Sequence, residues 1–345
     1  FKQQFYAGIS SSIVSGCMGI IMAYKGFEAW ALVAQQLSYQ VLACVLFAFM
    51  AKWKFTIAIS VHRTKSMLKY GIRLLGARLV DTLYHNLESF VIGKAFTPAA
   101  LAFCNKGKQF PLTLIDNIDG SVQSVMLPAY SSKQEDIMQV KALLRRTMSL
   151  STYIVFPAML LLASTGRPLI HLILGDNWME CVPYLQLFCL ISMLFPLQTA
   201  NLQAINAIGR SDVYFKLISW KRGIGVVLLV GSIFIWFSPF AVVLAALLSE
   251  IVAVLINIPS NMKLLHYSFS ETMSDILPNL YLAVAVSLCG FALELMIVDD
   301  IFLIVSQLGA ALVVFVLLSV ITGNRNWAYL MERFHLQSLY KHLAR

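Results

Sequence analysis

The sequence contains little charge. Only 12% of its 345 residues are Asp, Glu, Lys or Arg, whereas 59% are apolar. Soluble globular proteins carry about 25% charged residues, so this composition excludes an ordinary soluble enzyme. Long apolar runs instead recur along the whole chain, and one helical crossing of a membrane needs roughly 20 predominantly apolar residues. We therefore predict an all-α fold, a polytopic membrane helix bundle.

The chain also lacks the motifs of metal sites, disulfide frameworks and nucleotide hydrolysis. Its six cysteines are mostly isolated in or beside apolar runs, with no CxxC pair and no Cys/His cluster. Neither a disulfide framework nor a metal site is therefore predicted. No P-loop, HExxH or GxSxG sequence occurs, so we expect no cofactor and a protein that is not an enzyme. A membrane-embedded polysaccharide polymerase or ligase stays open as an alternative, although the short connections offer no domain to hold an acceptor.

Ten apolar segments are predicted to cross the membrane. They lie near residues 5–24, 30–51, 70–93, 108–130, 147–165, 181–205, 214–236, 239–258, 278–297 and 301–322. When connections are assigned to alternate sides, most of the 26 Lys and Arg residues fall on one side. Because positive charge concentrates in cytoplasmic loops, both termini are expected in the cytoplasm. The net charge of +9 is spread over these connections, so no nucleic acid partner is expected.

Two of the segments carry polar side chains along one face. In the third segment, four ionisable residues follow one another at intervals of three and four: Arg78, Asp81, His85 and Glu88. In the fourth, the same intervals separate two carboxylates and an amide: Asp116, Asp119 and Gln123. Residues at this spacing share a helix face, and each charge at the bilayer centre costs about 2.5–3.5 kcal/mol. Both faces are therefore predicted to border a hydrated cavity. The alternative is that Arg78 pairs with Asp81 and that hydrogen bonds within the bundle satisfy the rest.

Other polar residues in the apolar segments are less clearly patterned. Several lie inside predicted spans: Gln198, Asn201, Gln203, Asn206, Glu250, Asn257 and Glu294. Lys216, Lys221 and Arg222 lie near the cytoplasmic start of the seventh segment. There they can simply fix the orientation of the helix, or they can form an entry site for an anionic headgroup such as a diphosphate.

Short stretches spread over roughly residues 1–275 are typical of one known group of membrane proteins. They are Gly26–Val33, Val91–Lys94, Asn105–Pro111, Val125–Pro128, Ser131–Gln134, Gly175–Trp178, Pro183–Gln186 and Ala207–Asp212. In this order and spacing the chain resembles the Wzx-like polysaccharide flippases of the multidrug/oligosaccharidyl-lipid/polysaccharide exporter superfamily. That branch includes lipopolysaccharide, teichuronic acid and colanic acid exporters.

The resemblance implies a two-lobe exporter fold of fourteen helices, of which about ten are expected in this chain. The chain would begin just before the family's fifth helix, so about four helices of the first lobe would be absent. Residues 1–55 would hold the last two helices of the N-terminal lobe, and residues 66–258 the six-helix C-terminal lobe. Residues 276–322 would form two additional helices, and residues 323–345 a cytoplasmic tail.

The resemblance also implies a function in the bacterial inner membrane. Similar proteins move undecaprenyl-diphosphate-linked oligosaccharides across that membrane by alternating access. Arg78 would then bind the diphosphate, and Asn86, Asp116, Asp119 and Gln123 the sugar hydroxyls. The expected partners are the lipid-linked glycan and membrane lipid, with a polysaccharide polymerase and glycosyltransferases as further candidates, and the expected state is a monomer.

Ion coupling is a further expectation from the resemblance. The candidates are Asp81, His85 and Glu88, since superfamily members are often driven by an ion gradient. A histidine such as His85 titrates near neutral pH, although a neutral, hydrogen-bonded His85 is an open alternative. The same carboxylates, with Asp116 and Asp119, leave a drug or small-cation antiporter of the superfamily as the alternative function.

Overall fold

The computed structural model describes residues 2–50 and 61–333. Its helices are α1 (Lys2–Tyr24), α2 (Glu28–Met50), α3 (Val61–Ala95), α4 (Pro98–Ser131), α5 (Ile137–Leu174), α6 (Val182–Met193), α7 (Phe195–Ala207), α8 (Ser211–Trp236), α9 (Pro239–Leu265), α10 (Phe269–Glu294), α11 (Asp300–Ile321) and α12 (Arg325–Arg333). A short 3₁₀ segment, Asp176–Cys181, precedes α6. The described residues form no strand, which confirms the predicted all-α class.

All ten predicted crossings coincide with helices, but the sixth consists of two. Residues near 181–205 form α6 and α7, which meet at Leu194. Pro196 lies in the first turn of α7. Proline has no backbone N–H and fits the first turn of a helix but not its interior. The sixth crossing is therefore built from two consecutive helices.

Eight helical segments in the described ranges are long and apolar enough to cross a membrane. Two others, α3 with 35 residues and α4 with 34, are long enough but do not meet that criterion. They are the helices that carry the two polar faces predicted from the sequence. Polar groups on a helix at membrane depth must face protein or water, so the polar faces of α3 and α4 are expected to border other helices or a hydrated cavity.

Polar side chains bind the free backbone groups at helix starts. Thr97 Oγ1 accepts a hydrogen bond from the Ala100 N–H at the start of α4 (3.2 Å). The Asp136 carboxylate accepts from the N–H groups of Met138 and Gln139 at the start of α5. These bonds, chiefly that from the Gln139 N–H, lower the pKa of Asp136. These two caps help to determine where α4 and α5 begin.

The helices form two compact units, residues 1–65 and 66–345. In the first unit, α1 packs against α2, and Gly19 leaves room for the side chain of Gln35. The second unit is built around α5, whose buried side chains contribute to three hydrophobic clusters with helices α4, α6, α7, α10 and α11.

Close packing in the second unit fixes the position of α4. A Cβ atom on Gly107 would lie 2.8 Å from the backbone N of Leu185, so the glycine allows α4 and α6 to approach backbone to backbone. On the other side of the site, Gly225 of α8 makes room for the ring of Tyr84, which is buried between α8 and α9. The two glycines thus allow α3 and α4 to lie with their polar faces toward α7, α8 and α9.

Candidate functional site

A buried ion cluster joins α3, α8 and α9. Arg222 Nε donates to Asp81 Oδ1 (2.7 Å), and its Nη1 donates to Glu250 Oε1 (2.5 Å). The guanidinium carbon lies 4.7 Å from the centre of the Tyr84 ring. The side chains of Arg222 and Glu250 are only 13% and 5% exposed. Buried charges are stable only when paired and hydrogen-bonded, so one guanidinium holds carboxylates from two other helices.

A second cation reaches the same carboxylate through an amide. Lys221 is 4% exposed, and its Nζ donates to Gln198 Oε1 (2.7 Å). Gln198 Nε2 in turn donates to Glu250 Oε2 (2.8 Å). Both oxygens of Glu250 therefore accept hydrogen bonds, and α7 joins the cluster.

A mostly neutral hydrogen-bond network connects α4 with α7. Asp119 Oδ2 accepts from Gln123 Nε2 (2.6 Å), and its Oδ1 accepts from Thr199 Oγ1 (2.8 Å). Gln203 Nε2 donates to Gln123 Oε1 (2.8 Å). Asp119 is thus bound by uncharged donors, and its neighbours present hydroxyl and amide groups that can both donate and accept.

A third polar contact lies between α3 and α4. Lys108 Nζ donates to Glu88 Oε2 at 3.1 Å and lies 5.4 Å from the centre of the Phe188 ring. The other oxygen of Glu88 and the hydroxyl of Ser192 are buried and have no hydrogen-bond partner among the described residues.

Three cavities adjoin these groups. The polar cavity, about 150 Å³, is lined by Arg78, Asp81, Gln123, Phe195, Gln203, Lys221, Arg222, Glu250 and their neighbours. The inner cavity, about 240 Å³, is lined by Tyr84, Glu88, Lys108, Asp116, Phe188, Ser192, Phe195, Glu250 and a few aliphatic side chains. The α3–α8 groove, about 650 Å³, is lined by Val80, Leu83, Leu87, Phe90, Val226, Asn86, Arg222 and others. Arg222 borders both the polar cavity and the groove, whereas Phe195 and Glu250 border both the polar and the inner cavity.

The structure distributes the candidate residues of α3 over these places. Arg78 and Asp81 line the polar cavity, and Glu88 lines the inner cavity. Asp81 accepts from Arg222, and no ion pair between Asp81 and Arg78 occurs in the described part of the chain. Asn86 lines the groove, and its Nδ2 donates to the carbonyl of Thr82 (2.8 Å). The side chain of His85 lies outside the described residues.

The candidates on α4 and α8 divide in the same way. Gln123 lines the polar cavity, Asp119 belongs to the network beside it, and Asp116 lines the inner cavity. Lys221 and Arg222 lie within α8, beside the carboxylates, while Lys216 is exposed nearer its start. Their role as an entry site for a headgroup stays a prediction.

Several residues of the site were not among the candidates. Glu250, Gln198 and Gln203 were recognised only as polar residues inside apolar segments, and Lys108, at the start of the fourth predicted segment, was not singled out. Their polarity at membrane depth could have identified them, because a polar side chain there requires a hydrogen-bond or ionic partner. No group of three or more His, Cys, Asp or Glu side chains that could hold a metal ion is found in residues 2–50 and 61–333.

Comparison with protein families matches residues 1–183, just over half of the chain, to the family described as "Polysaccharide biosynthesis protein". The teichuronic acid biosynthesis protein TuaB of Bacillus subtilis is 26% identical over 174 residues, which are 50% of this chain and 35% of TuaB. The lipopolysaccharide biosynthesis protein WzxC of Escherichia coli is 23% identical over 154 residues, 45% of this chain and 31% of WzxC. The amylovoran biosynthesis protein AmsL of Erwinia amylovora is 26% identical over 201 residues, 56% of this chain and 50% of AmsL. The chain thus spans half or less of the length of these relatives.

Among solved structures, the chain is similar to the lipid II flippase MurJ in an inward closed conformation. The TM-score is 0.62 at 14% identity, and the match covers 90% of this chain and 66% of that one. At this identity the likeness shows a shared fold. Together with the family match it confirms the resemblance drawn from the sequence motifs and the prediction of a multi-helix exporter fold.

Proposed function

We propose that this chain, which belongs to the polysaccharide biosynthesis protein family, moves a lipid-linked oligosaccharide across the bacterial inner membrane. The cargo would be an undecaprenyl-diphosphate-linked glycan, and the movement would follow alternating access. The protein acts as a transporter and not as an enzyme, with both ends of the chain in the cytoplasm. The names of the relatives support polysaccharide synthesis as the process, and the fold shared with a flippase supports transport as the step.

The position of Arg222 is the observation that carries this proposal. The guanidinium borders the apolar α3–α8 groove on one side and the polar cavity on the other. A lipid-linked glycan has the same order of parts: an apolar chain, a diphosphate and then sugars. Its prenyl chain fits the groove, its diphosphate lies at Arg222, and its first sugar enters the polar cavity. Because a diphosphate is very costly to transfer into hydrocarbon, it requires a cation at this boundary.

Arg78 supplies a second guanidinium to the diphosphate in this arrangement. It is exposed, lines the polar cavity, and has no ion pair within the described residues. Guanidinium groups bind phosphate oxygens with two parallel hydrogen bonds. Arg78 can therefore engage the diphosphate without first leaving a partner, whereas Arg222 must be shared with Asp81 and Glu250.

The network on α4 and α7 is suited to sugar hydroxyls. Thr199, Gln123 and Gln203 border the polar cavity and offer both donors and acceptors. Sugar hydroxyls are also both donors and acceptors. A bound sugar can therefore exchange each hydrogen bond that it makes to water for one to these side chains. Asp119 accepts hydrogen bonds from Gln123 and Thr199, and Gln123 accepts one from Gln203, so all three side chains are held in place.

A drug or small-cation antiporter is less well supported. Such a protein needs carboxylates that are available to a cation. Here Asp81 and Glu250 share Arg222, and Glu88 accepts from Lys108. Asp116 is thus the one carboxylate lining these cavities that has no internal cation among the described residues. Coupling of transport to an ion through Asp81, His85 or Glu88, and contact with a polymerase or glycosyltransferases, remain parts of the proposal.

The direct test measures movement of a fluorescent polyprenyl-diphosphate glycan between leaflets of liposomes that contain the protein. Arg78→Gln is expected to slow this movement by about tenfold or more, since one charge-assisted contact to phosphate contributes roughly 1.5–3 kcal/mol. The matched control is Arg167→Gln, because Arg167 is 68% exposed and borders none of the three cavities of the site. Equal rates for the two variants would contradict the proposed diphosphate site.

A further inference from the structure

The inner cavity has a volume that suits one ring. It is enclosed by α3, α4, α6, α9 and the start of α7, and its volume is about 240 Å³. An apolar cavity of about 150 Å³ is enough to hold benzene in another protein. Asp116, at its edge, is exposed, so the cavity opens on the polar face of α4. One six-membered sugar ring can therefore enter it from that face.

The cavity contains polar atoms whose hydrogen bonds are not made within the protein. Glu88 is 4% exposed and Ser192 is fully buried. Lys108 occupies one oxygen of Glu88, but the second oxygen, Oε1, and the Ser192 hydroxyl have no partner among the described residues. A buried carboxylate oxygen without a donor is unfavourable. A ligand that brings hydrogen-bond donors into the cavity is therefore favoured.

The charges around the cavity select against acidic ligands. Three carboxylates, those of Glu88, Asp116 and Glu250, line it against one amino group, that of Lys108. Lys108 neutralises Glu88, and Arg222 is shared between Glu250 and Asp81, so Glu250 and Asp116 leave an excess of negative charge. A carboxylate on the ligand would face like charge in a partly dry site, where repulsion is strong.

The remaining lining is largely aromatic and aliphatic. Phe188, Phe195 and Tyr84 present their rings to the cavity. Ligand sites of this kind combine apolar walls with a few polar groups that fix the orientation of the ligand. A sugar ring has an apolar face of C–H groups and a rim of hydroxyls, and it matches both features. A bare metal ion does not match them, because the apolar walls offer it no oxygen ligands.

We propose that the inner cavity receives one non-acidic sugar, neutral or amino, of the lipid-linked glycan, and that Glu88 and Asp116 reject a uronic acid there. This inference rests on the proposed transport function and adds a selectivity to it. Glu88 Oε1 and Ser192 Oγ bind the hydroxyl or amino groups of the sugar, and an aromatic ring packs against its C–H face.

Two cargo molecules that differ only at the sugar C6 position test the inference. One is a labelled polyprenyl diphosphate that carries a disaccharide with glucose as its outer sugar, and the other carries glucuronic acid in that outer position. Two sugars are needed because the first sugar lies in the polar cavity. In liposomes containing the protein, glucose cargo is expected to cross about tenfold faster, the scale of a single like-charge repulsion in a partly buried site. Asp116→Asn and Glu88→Gln are each expected to lower this ratio severalfold by raising the rate for glucuronic acid. Glu135→Gln, in the exposed connection before α5, serves as the control and is expected to keep the wild-type ratio.

The possible results separate this inference from the proposed function. Equal rates for both cargoes in the wild-type protein would overturn the selectivity while supporting transport of the lipid diphosphate. A ratio that Asp116→Asn does not change would also overturn it, and because Asp116 is exposed this variant tests the inference even if Glu88→Gln fails to fold. Movement of neither cargo would count against both the transport function and the selectivity.

Discussion

Replacing Arg222 with methionine is expected to destabilise the helix bundle by removing the cation that Asp81 shares with the more deeply buried Glu250. Arg222 is 13% exposed, and its partners Asp81 and Glu250 are 26% and 5% exposed. Removal of one partner from a buried ion pair costs about 3–5 kcal/mol, because the remaining charge is buried and unpaired. Methionine keeps most of the volume and the contact with the Tyr84 ring, so the loss measures the charge more than the packing.

Thermal unfolding of the purified protein in detergent measures this effect. With a shift of roughly 2 °C for each kcal/mol in a large domain, the midpoint is expected to fall by about 6–10 °C. Arg167→Met is the control: its ion pair with Glu294 is at 3.7 Å and Arg167 is 68% exposed. Exposed pairs contribute about 0–1 kcal/mol, so the control midpoint should hardly move.

A triple variant distinguishes charge from shape. Arg222→Met combined with Asp81→Asn and Glu250→Gln removes the cation and both carboxylates together. Replacing a buried ion triad with uncharged groups of similar volume is often neutral, and Lys221 keeps its hydrogen bond to Gln198, so most of the lost stability should return. If the triple variant is no more stable than Arg222→Met alone, the ion cluster does not explain the loss, and the reasoning is refuted.

Two further predictions concern the packing and the ends of α4 and α5. Gly107→Ala places a Cβ atom 2.8 Å from the backbone N of Leu185 and should lower the free energy of unfolding by about 1–3 kcal/mol. Gly120→Ala, with open space around the new Cβ, should be at least as stable as the wild type. Equal unfolding midpoints for the two variants would contradict the close packing of α4 against α6. The lowered pKa of Asp136 means that its cap is fully formed above the ordinary carboxyl range and is lost as the pH falls through the lowered value. Hydrogen exchange at the Gln139 amide, normalised for its intrinsic pH dependence, should therefore accelerate only in acid, and unchanged protection there would contradict this role.

Much of the fold could be predicted because membrane insertion leaves a strong signal in the sequence. Each long helix must be apolar over roughly 20 residues, and all ten predicted segments coincide with helices. The division of the sixth segment was not predicted, since α6 and α7 form one apolar run and Pro196 alone marks the start of the second. Periodicity records which residues are apolar, but it does not show where the backbone hydrogen-bond pattern is interrupted.

The site could be predicted only in part, for a different physical reason. The spacing of Arg78, Asp81 and Asp119 shows which face of α3 and α4 is polar, because that information is local to one helix. The partners of these faces come from other helices: Arg222 from α8 and Glu250 from α9. Such pairs depend on how helices that are distant in the sequence pack together, and the spacing of residues within one segment does not encode that packing.

The junction of α6 and α7 has a consequence for the length of glycan that the site can hold. Phe195, the first residue of α7, borders both the polar and the inner cavity, as Glu250 does, so its side chain lies where the two cavities adjoin. A rotation about its side-chain bonds, which takes place without moving any helix, would join the polar and inner cavities into one continuous cavity. The rotamer of Phe195 can then determine how many sugars the joined cavity holds at once.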